Sequence, residues 1–433
     1  MTTHSSVQTR LSLRSVVVDL TPLLPGGENG GAKVVAMELV REMARLAGNC
    51  HFKLLTSESS HGDLKVLDAE NVERVCVSGA GAGGAGMEHT NGFSGRLRSA
   101  AARALPEGML RLAQKAQAYL ADRTIRSSRL RDWKADLLFC PFTAPFFYDE
   151  QIPVVSLIHD LQHRYYPQFF HPEELKQRDL HFRRACRLAD RLICVSDYVR
   201  WTIREQSDVA PDRVTTIHTA IQHRLPDPLP SRVRAVLEEH KLEAGRFLLY
   251  PANFWLHKNH EMLLIAFGMY LNKHRDGNLK LVLTGEAGAR MNYLREATRH
   301  LGLADRVVFA GYVSEADISA LLESAKALIF PSLFEGFGIS VVEAMAAGRP
   351  VLCSDVTSLP EVAGDAARYF DPRRPAEILR AIEEIEAASD LEEDLIARGN
   401  RRVEQIGRPE DMAARYLEEF EDVVCGRSAR GAA

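Results

Sequence analysis

Short apolar runs alternate with longer amphipathic segments along most of the chain, and this alternation constrains the fold more than any other feature. Runs such as Ser15–Asp19 have the length of strands, whereas residues 33–46 carry apolar side chains at helical spacing. Parallel strands need crossover connections, which helices supply, so this alternation predicts an α/β fold with parallel sheets. At Ser314 and Ser358 the pattern of a capping box predicts two helix starts.

The chain has 433 residues, too many for one ordinary core, and its pattern is interrupted near the middle. Residues 224–230 contain three prolines in seven positions, which is typical of an interdomain linker. We therefore predict an N-terminal Rossmann-like domain over residues 1–225 and a C-terminal one over residues 226–408. A last helix in residues 409–433 is expected to pack back across the joint. Ligands bind at the carboxyl ends of parallel strands, so the cleft between the domains is the expected site.

Composition excludes several classes of function. Hydrophobic residues make up 46% and charged residues 26% of the chain, as in folded globular proteins. The net charge of −4 gives no reason to expect a nucleic-acid partner. The seven cysteines are scattered without a Cys-x-x-Cys pair, so neither a zinc site nor a disulfide framework is expected. The N-terminus lacks a signal-peptide core and no apolar run is long enough to span a bilayer, which favours a cytoplasmic location.

Residues 330–355 carry most of the functional signal. A strand ends where the segment begins, a loop follows, and a helix begins near Gly338. The free N–H groups of a helix start favour phosphate or sugar oxygens, and Gly336 lets a ligand approach the backbone closely. Glu335 in the loop and Glu343 in the helix can each accept hydrogen bonds from vicinal hydroxyls. The alternative is an ordinary strand–loop–helix with solvated glutamates.

This segment resembles the Glu-x7-Glu signature of glycosyltransferase family 4, whose members are retaining enzymes with the GT-B fold. Residues 281–286, 307–332 and 358–372 are similar to the same family. The resemblance is strong over the C-terminal half and weaker over the N-terminal half. It implies two Rossmann-like α/β domains facing each other across a cleft, with a nucleotide diphosphate sugar held mainly by the C-terminal one.

The resemblance also implies roles for individual residues. Glu343 would bind the ribose hydroxyls, and Glu335 would face the donor hexose. The other donor-binding positions that we predict in this half are Gly336, Phe337, Gly338, Ile339, Tyr312, Val313 and Gly285.

Lys258 opens a predicted helix after a strand, at the position of the family's diphosphate-binding lysine. A cation there stabilises the charge that a leaving diphosphate gains as the glycosidic bond breaks. The commoner family pattern has an arginine six residues earlier, where this chain has Ala252. A family variant, Pro-Arg-Lys-Asn, aligns with residues 256–259, so His257 is expected to be a second donor to the diphosphate. A surface lysine at a helix start is the alternative.

Two features of the N-terminal half complete the candidate site. The loop over residues 25–33 holds four glycines but matches neither the Walker nor the Gly-x-Gly-x-x-Gly pattern. A similar loop in the family touches the donor phosphate, which implies donor binding at Gly30 and Gly31; a flexible turn is the alternative. His159 follows a buried strand, and the resemblance implies that it faces the donor sugar, whereas a structural histidine is the alternative. Asp160 is interpreted as orienting His159 or capping the next segment.

The chain has no Asp-x-Asp motif and no histidines at metal-ligand spacing, so we expect catalysis without a metal ion or other cofactor. Residues 96–130 hold eight basic and two acidic side chains in a protein whose net charge is −4. A basic amphipathic helix of this kind can lie on an anionic membrane surface, which predicts peripheral contact with the inner face of the cell membrane. A solvated helix packed on the N-terminal domain is the alternative.

The sequence thus predicts a hexosyltransferase, with catalytic Glu335, Lys258 and His159, that acts on a glycan or lipid-linked glycan acceptor. Mannosyl transfer in the synthesis of a cell-surface polysaccharide is the first expectation. Two alternatives remain open: a nucleotide-sugar epimerase of the same fold, and a catalytically silent GT-B scaffold in a glycan assembly complex. Incubation with donor alone distinguishes an epimerase from a transferase.

Overall fold

The computed structural model describes residues 12–26, 29–77 and 129–431. Within these ranges the strands form two sheets, each entirely parallel, which confirms the α/β expectation. The strands are β1 Ser15–Asp19, β2 His51–Thr56, β3 Val72–Cys76, β4 Leu137–Cys140, β5 Val154–Ile158, β6 Arg191–Cys194, β7 Val214–Thr216, β8 Phe247–Pro251, β9 Lys280–Thr284, β10 Val307–Gly311, β11 Ala327–Phe330, β12 Val351–Ser354 and β13 Ala367–Phe370.

Helices connect nearly all consecutive strands, as a parallel sheet requires. They are α1 Gly31–Leu46, α2 Arg129–Asp132, α3 Gln162–Tyr165, α4 Pro172–Leu188, α5 Asp197–Gln206, α6 Pro230–Glu239, α7 His260–Lys273, α8 Ala289–His300, α9 Glu315–Ser324, α10 Ile339–Ala346, α11 Leu359–Ala363, α12 Pro375–Ala387, α13 Ser389–Ile406 and α14 Pro409–Gly431. Short 3-10 turns cover Asp63–Leu67, Pro167–Phe169, Pro211–Arg213 and Leu256–Lys258. No described helix is both long and apolar enough to cross a bilayer.

The order of the strands determines where a ligand can bind. The first sheet runs β3-β2-β1-β4-β5-β6-β7, and the second runs β10-β9-β8-β11-β12-β13. The order therefore reverses between β1 and β4 and again between β8 and β11. At such a point the connecting loops diverge to opposite faces and leave a crevice at the carboxyl ends of the strands. The loops after β1, β8 and β11 carry Gly30, Lys258 and Glu335, so the predicted residues lie where the topology opens a site.

The central strands of the first sheet are buried on both faces, which explains their apolar runs in the sequence. All five residues of β5 are buried, as are all four of β4, because helices cover the parallel sheet on each side. In α1 the buried side chains include Val35, Leu39 and Met43, which follow the predicted helical spacing. Burying each such side chain contributes roughly 1.5–3 kcal/mol. β1 has the predicted bounds, while α1 begins at Gly31, two residues before the predicted start.

The last helix belongs to the first core. In α14, Tyr416 and Phe420 are buried and their rings lie 5.8 and 5.1 Å from the ring of Phe139 in β4. The preceding α13 packs instead on α10 beneath the second sheet, so the chain crosses between the two cores near Gly407. α14 spans Pro409–Gly431, within the residues 409–433 where the last helix is predicted.

Candidate active site

The carboxyl ends of the two sheets face each other across a cleft of about 1630 Å³. Every residue predicted for the site lines this cleft. They are His159, Lys258, Glu335, Glu343, Gly336, Phe337, Gly338, Ile339, His257, Tyr312, Val313, Gly285, Gly30 and Gly31. Tyr312 is 72% exposed and lies at the edge of the second sheet, where Gly285 donates its N–H to the Gly311 carbonyl at 2.8 Å.

Lys258 and Glu335 form an ion pair inside the cleft. Lys258 Nζ lies 2.6 Å from Glu335 Oε1, and each side chain is only 12% exposed. Asn259 holds the lysine turn in place, because its Nδ2 donates to the carbonyls of Pro331 and Pro372 at 3.0 and 2.8 Å. An ammonium has three donors and a carboxylate has four acceptor positions, so both groups retain capacity for a diphosphate and for sugar hydroxyls.

Ser358 holds the loop that carries Glu335. Its hydroxyl donates to the carbonyl oxygens of Glu335 and Phe337, at 3.0 and 3.2 Å, and makes no capping bond to its own helix. The helix start predicted at Ser358 is confirmed, since Ser358 is the N-cap of α11. The hydrogen bonds of a capping box do not form there, because the Ser358 and Glu361 side chains have tertiary partners instead. The box predicted at Ser314 is confirmed on the hydroxyl side, since Ser314 accepts the N–H of Asp317 at 3.2 Å.

Backbone contact across the cleft requires glycine at position 336. A Cβ on Gly336 would lie 1.9 Å from the carbonyl oxygen of His159, so no larger residue fits. Ser196, the N-cap of α5, accepts the N–H of Val199 at 3.2 Å and donates its hydroxyl to the Gly336 carbonyl at 2.7 Å. Phe337 is buried in the core of the first sheet. The Glu335 loop is thus held by groups from both halves of the chain.

His159 is a neutral hydrogen-bonding group in this structure. Its Nε2 donates to the Pro141 carbonyl at 2.8 Å, and burial lowers the pKa of the imidazole below its ordinary value. Nδ1 then carries no proton and can only accept a hydrogen bond, for example from a sugar hydroxyl. The Asp160 carboxylate accepts the N–H of Gln162 at 2.8 Å. Of the two roles considered for Asp160, this hydrogen bond supports capping of the next segment.

His257 adds no second cation beside Lys258. Burial, together with the charge of Lys258, lowers the pKa of His257 to about 2. The imidazole is therefore neutral near neutral pH, and the predicted second contact to a diphosphate would come from a neutral N–H donor.

The starts of α1 and α10 meet in the cleft. A Cβ on Gly31, the first residue of α1, would lie 2.9 Å from the Cδ1 atom of Ile339, the first residue of α10. Neither helix has an acidic residue in its first turn. Each start carries about half a positive charge and free N–H groups, so two converging starts near Lys258 favour an anionic ligand.

Glu343 has a partner that the sequence did not indicate. Its side chain is 4% exposed, and its Oε1 accepts the Nε–H of Arg224 at 2.7 Å. Burial raises the pKa of Glu343 above its ordinary value, while Arg224 opposes that shift. Arg224 stands out in the sequence only as the first residue of a proline-rich linker. Its partner lies 119 residues later, so no local pattern could have identified it.

One group of potential metal ligands occurs among the described residues, formed by Asp197, His218 and Glu361. The Glu361 carboxylate accepts the N–H groups of Asp197 and Tyr198 at 2.7 and 2.8 Å. It also lies 2.6 Å from His218 Nε2. These three donors occupy most of the acceptor positions of Glu361, and the group links the first turn of α5 to α11 across the two halves of the chain.

Comparisons with known proteins concern the family and the fold of the chain. The model described as Glycosyltransferase Family 4 matches residues 29–225, and the one described as Glycosyl transferases group 1 matches residues 236–402. O-antigen chain mannosyltransferase B of Escherichia coli is 29% identical over 244 residues, which are 56% of this chain and 63% of that protein. Serotype-specific mannosyltransferase WbdA of Escherichia coli is 30% identical over 199 residues, 45% of this chain and 24% of that protein.

The chain therefore matches less than two thirds of the length of these curated relatives. A solved structure, Anabaena HepE in complex with UDP and glucose, is similar with a TM-score of 0.67 and 16% identity. That comparison covers 94% of this chain and 100% of the other. At this identity the likeness concerns the fold, which is two facing α/β domains. From the two matched family models and this fold we conclude that the chain belongs to glycosyltransferase family 4 and has the GT-B fold.

Proposed function

We propose that the protein transfers a hexosyl unit, with retention of anomeric configuration, from a nucleotide diphosphate sugar to a glycan or lipid-linked glycan hydroxyl. The observation that carries this proposal is the meeting of two helix starts, free of acidic residues, in one cleft with Lys258 and Glu335. Such a cluster of donors matches a diphosphate, and the neighbouring carboxylate matches the hydroxyls of a hexose.

Each residue has a role in this reaction. Lys258 and the starts of α1 and α10 stabilise the negative charge that develops on the diphosphate as the glycosidic bond breaks. Glu335 accepts hydroxyls of the hexose, and Glu343 accepts the two ribose hydroxyls. His159 accepts a sugar hydroxyl through Nδ1. The acceptor attacks from the face of the leaving diphosphate, and a diphosphate oxygen takes the acceptor proton.

Mannose from GDP-mannose is the proposed donor sugar, and a cell-surface polysaccharide is the proposed product. The support is that the two relatives above are named as mannosyltransferases, one of them of the O-antigen chain. The HepE structure holds UDP and glucose instead, so the fold alone does not determine the donor. The two alternatives share this fold. An epimerase would convert the sugar nucleotide without an acceptor, and a scaffold would catalyse no reaction.

A panel of sugar nucleotides tests the proposal. GDP-mannose is expected to raise Tm more than UDP-glucose or ADP-glucose, because bound ligand stabilises the folded state. Incubation with GDP-mannose and a membrane glycan extract should then yield an elongated glycan whose new linkage has the donor's anomeric configuration by NMR. Epimer or free sugar from donor alone would favour the epimerase, and no stabilisation by any sugar nucleotide would favour the scaffold.

Activity is expected to survive EDTA. Lys258 and the two helix starts already supply positive charge to the leaving diphosphate, so a divalent cation is not required for this purpose. The measurement is the initial rate of transfer after dialysis against EDTA, with and without added Mn²⁺. Loss of activity in EDTA that Mn²⁺ restores would show that a metal ion carries the charge.

Contact with an anionic membrane remains a prediction from sequence, because nearly all of residues 96–130 lie outside the described ranges. Liposomes with anionic lipid should carry the protein upward in flotation at low salt and release it at about 0.5 M salt, where the Debye length is only a few Å. Flotation that is unchanged when residues 96–128 are deleted would contradict the prediction.

A further inference from the structure

Arg224 lies in the segment that joins β7 to α6, yet its guanidinium group lies in the candidate active site. Its Nε donates to Glu343 Oε1 at 2.7 Å, and its Nη1 lies 2.6 Å from Glu315 Oε1. The Arg224 and Glu343 side chains are 13% and 4% exposed, whereas Glu315 is 64% exposed. All three residues line the cleft. Of the two contacts of Arg224, the one with Glu343 is therefore shielded from solvent.

We infer that Arg224 is a positioning residue for nucleotide binding, which keeps the Glu343 carboxylate ionised and oriented to accept the two ribose hydroxyls. The inference rests on the nucleotide-binding role proposed for Glu343. A carboxylate has about four acceptor positions, and the Nε–H of Arg224 uses one of them. The remaining positions suffice for two vicinal hydroxyls, so Arg224 and the ribose can engage Glu343 at the same time.

The charge of Arg224 opposes the effect of burial on Glu343. Burial raises the pKa of Glu343, and the neighbouring Glu315 acts in the same direction, whereas the charge and hydrogen bond of Arg224 lower it. Without this arginine, a larger fraction of Glu343 would be protonated near neutral pH and would lose its charge-assisted bonds to the ribose.

The test is the pH dependence of GDP affinity, measured by calorimetry between pH 6 and 9 for the wild type and for variants. Arg224→Met keeps an apolar stem without the charge, and Arg224→Gln is a second neutral variant should the first fail to fold. Both should bind GDP about 10- to 100-fold more weakly near neutral pH. The loss should shrink as the pH rises, because Glu343 then ionises without help. Each variant is compared with the wild type at the same pH, so that protonation of GDP itself affects both affinities equally.

Two controls accompany these variants. Arg224→Lys keeps the charge and should retain the wild-type pH profile. Arg232→Ala breaks a pair with Asp317 close to the same linker, but neither residue lines the cleft, so GDP affinity should not change. In a Glu343→Gln background, adding Arg224→Met should change the Kd by less than about twofold, because the partner has already lost its charge.

A loss of affinity that is equal at every pH, or that persists in full in the Glu343→Gln background, would show direct contact between Arg224 and the nucleotide and overturn the inference. If the wild type binds GDP and the Arg224 variants bind it with the same affinity, only this inference is refuted. If the wild type binds none of GDP, UDP and ADP, the proposed function itself fails.

Discussion

Replacing Lys258 with alanine is expected to lower kcat by about two to three orders of magnitude. The lysine lies in the cleft beside Glu335 and near the two helix starts, where a leaving diphosphate would be held. Charge on that diphosphate grows as the glycosidic bond breaks, so the cation stabilises the transition state more than the ground state. kcat and kcat/KM should therefore both fall, as measured by initial rates of transfer at varied donor concentration.

The ion pair with Glu335 makes a matched control necessary. Removing Lys258 leaves a partly buried carboxylate without its partner, which can destabilise the fold as well as the reaction. Lys326→Ala breaks a pair with Glu392 of similar burial outside the cleft, and should lower Tm without lowering kcat. Lys258→Arg should retain part of the activity. A folded Lys258→Ala variant whose KM rises while kcat stays within about fivefold of wild type would mean that the lysine only binds substrate.

Glu343→Ala is expected to weaken binding of the cognate nucleoside diphosphate about a hundredfold. Loss of charge-assisted hydrogen bonds to the two ribose hydroxyls should cost roughly 2–3 kcal/mol. The residue lies one turn into α10, and its carboxylate is buried at the cleft beside Arg224. Calorimetry with GDP measures the change, and Glu343→Gln, which keeps shape and one acceptor, should lose less affinity than alanine.

A distant glutamate separates this effect from general destabilisation. Glu384 pairs with Arg368 at the periphery of the second sheet and does not line the cleft. Glu384→Ala should leave the Kd for GDP unchanged, whatever it does to Tm. Unchanged affinity in a folded Glu343→Ala variant would remove the ribose role from this residue, and the inference about Arg224 would fall with it.

The sequence was sufficient for the local elements and for the residues at their ends. The apolar run of β1 and the helical spacing of α1 are local periodicities, so both elements are found where the pattern predicts them. The loops after β1, β8 and β11 carry glycine, lysine and glutamate, and parallel strands direct all such loops to one edge. Predicted residues from both halves therefore line one cleft, although their individual roles stay predictions.

Only the tertiary structure decided which of these groups touch. Lys258 and Glu335 are 77 residues apart in the chain and meet because β8 and β11 are neighbours in the sheet. Ser358 has the pattern of a helix cap, yet its hydroxyl holds the Glu335 loop. Arg224 looks like part of a linker, yet it is the partner of Glu343. Local patterns report backbone preference and burial, whereas pairing between charged side chains depends on distances that strand order and core packing set.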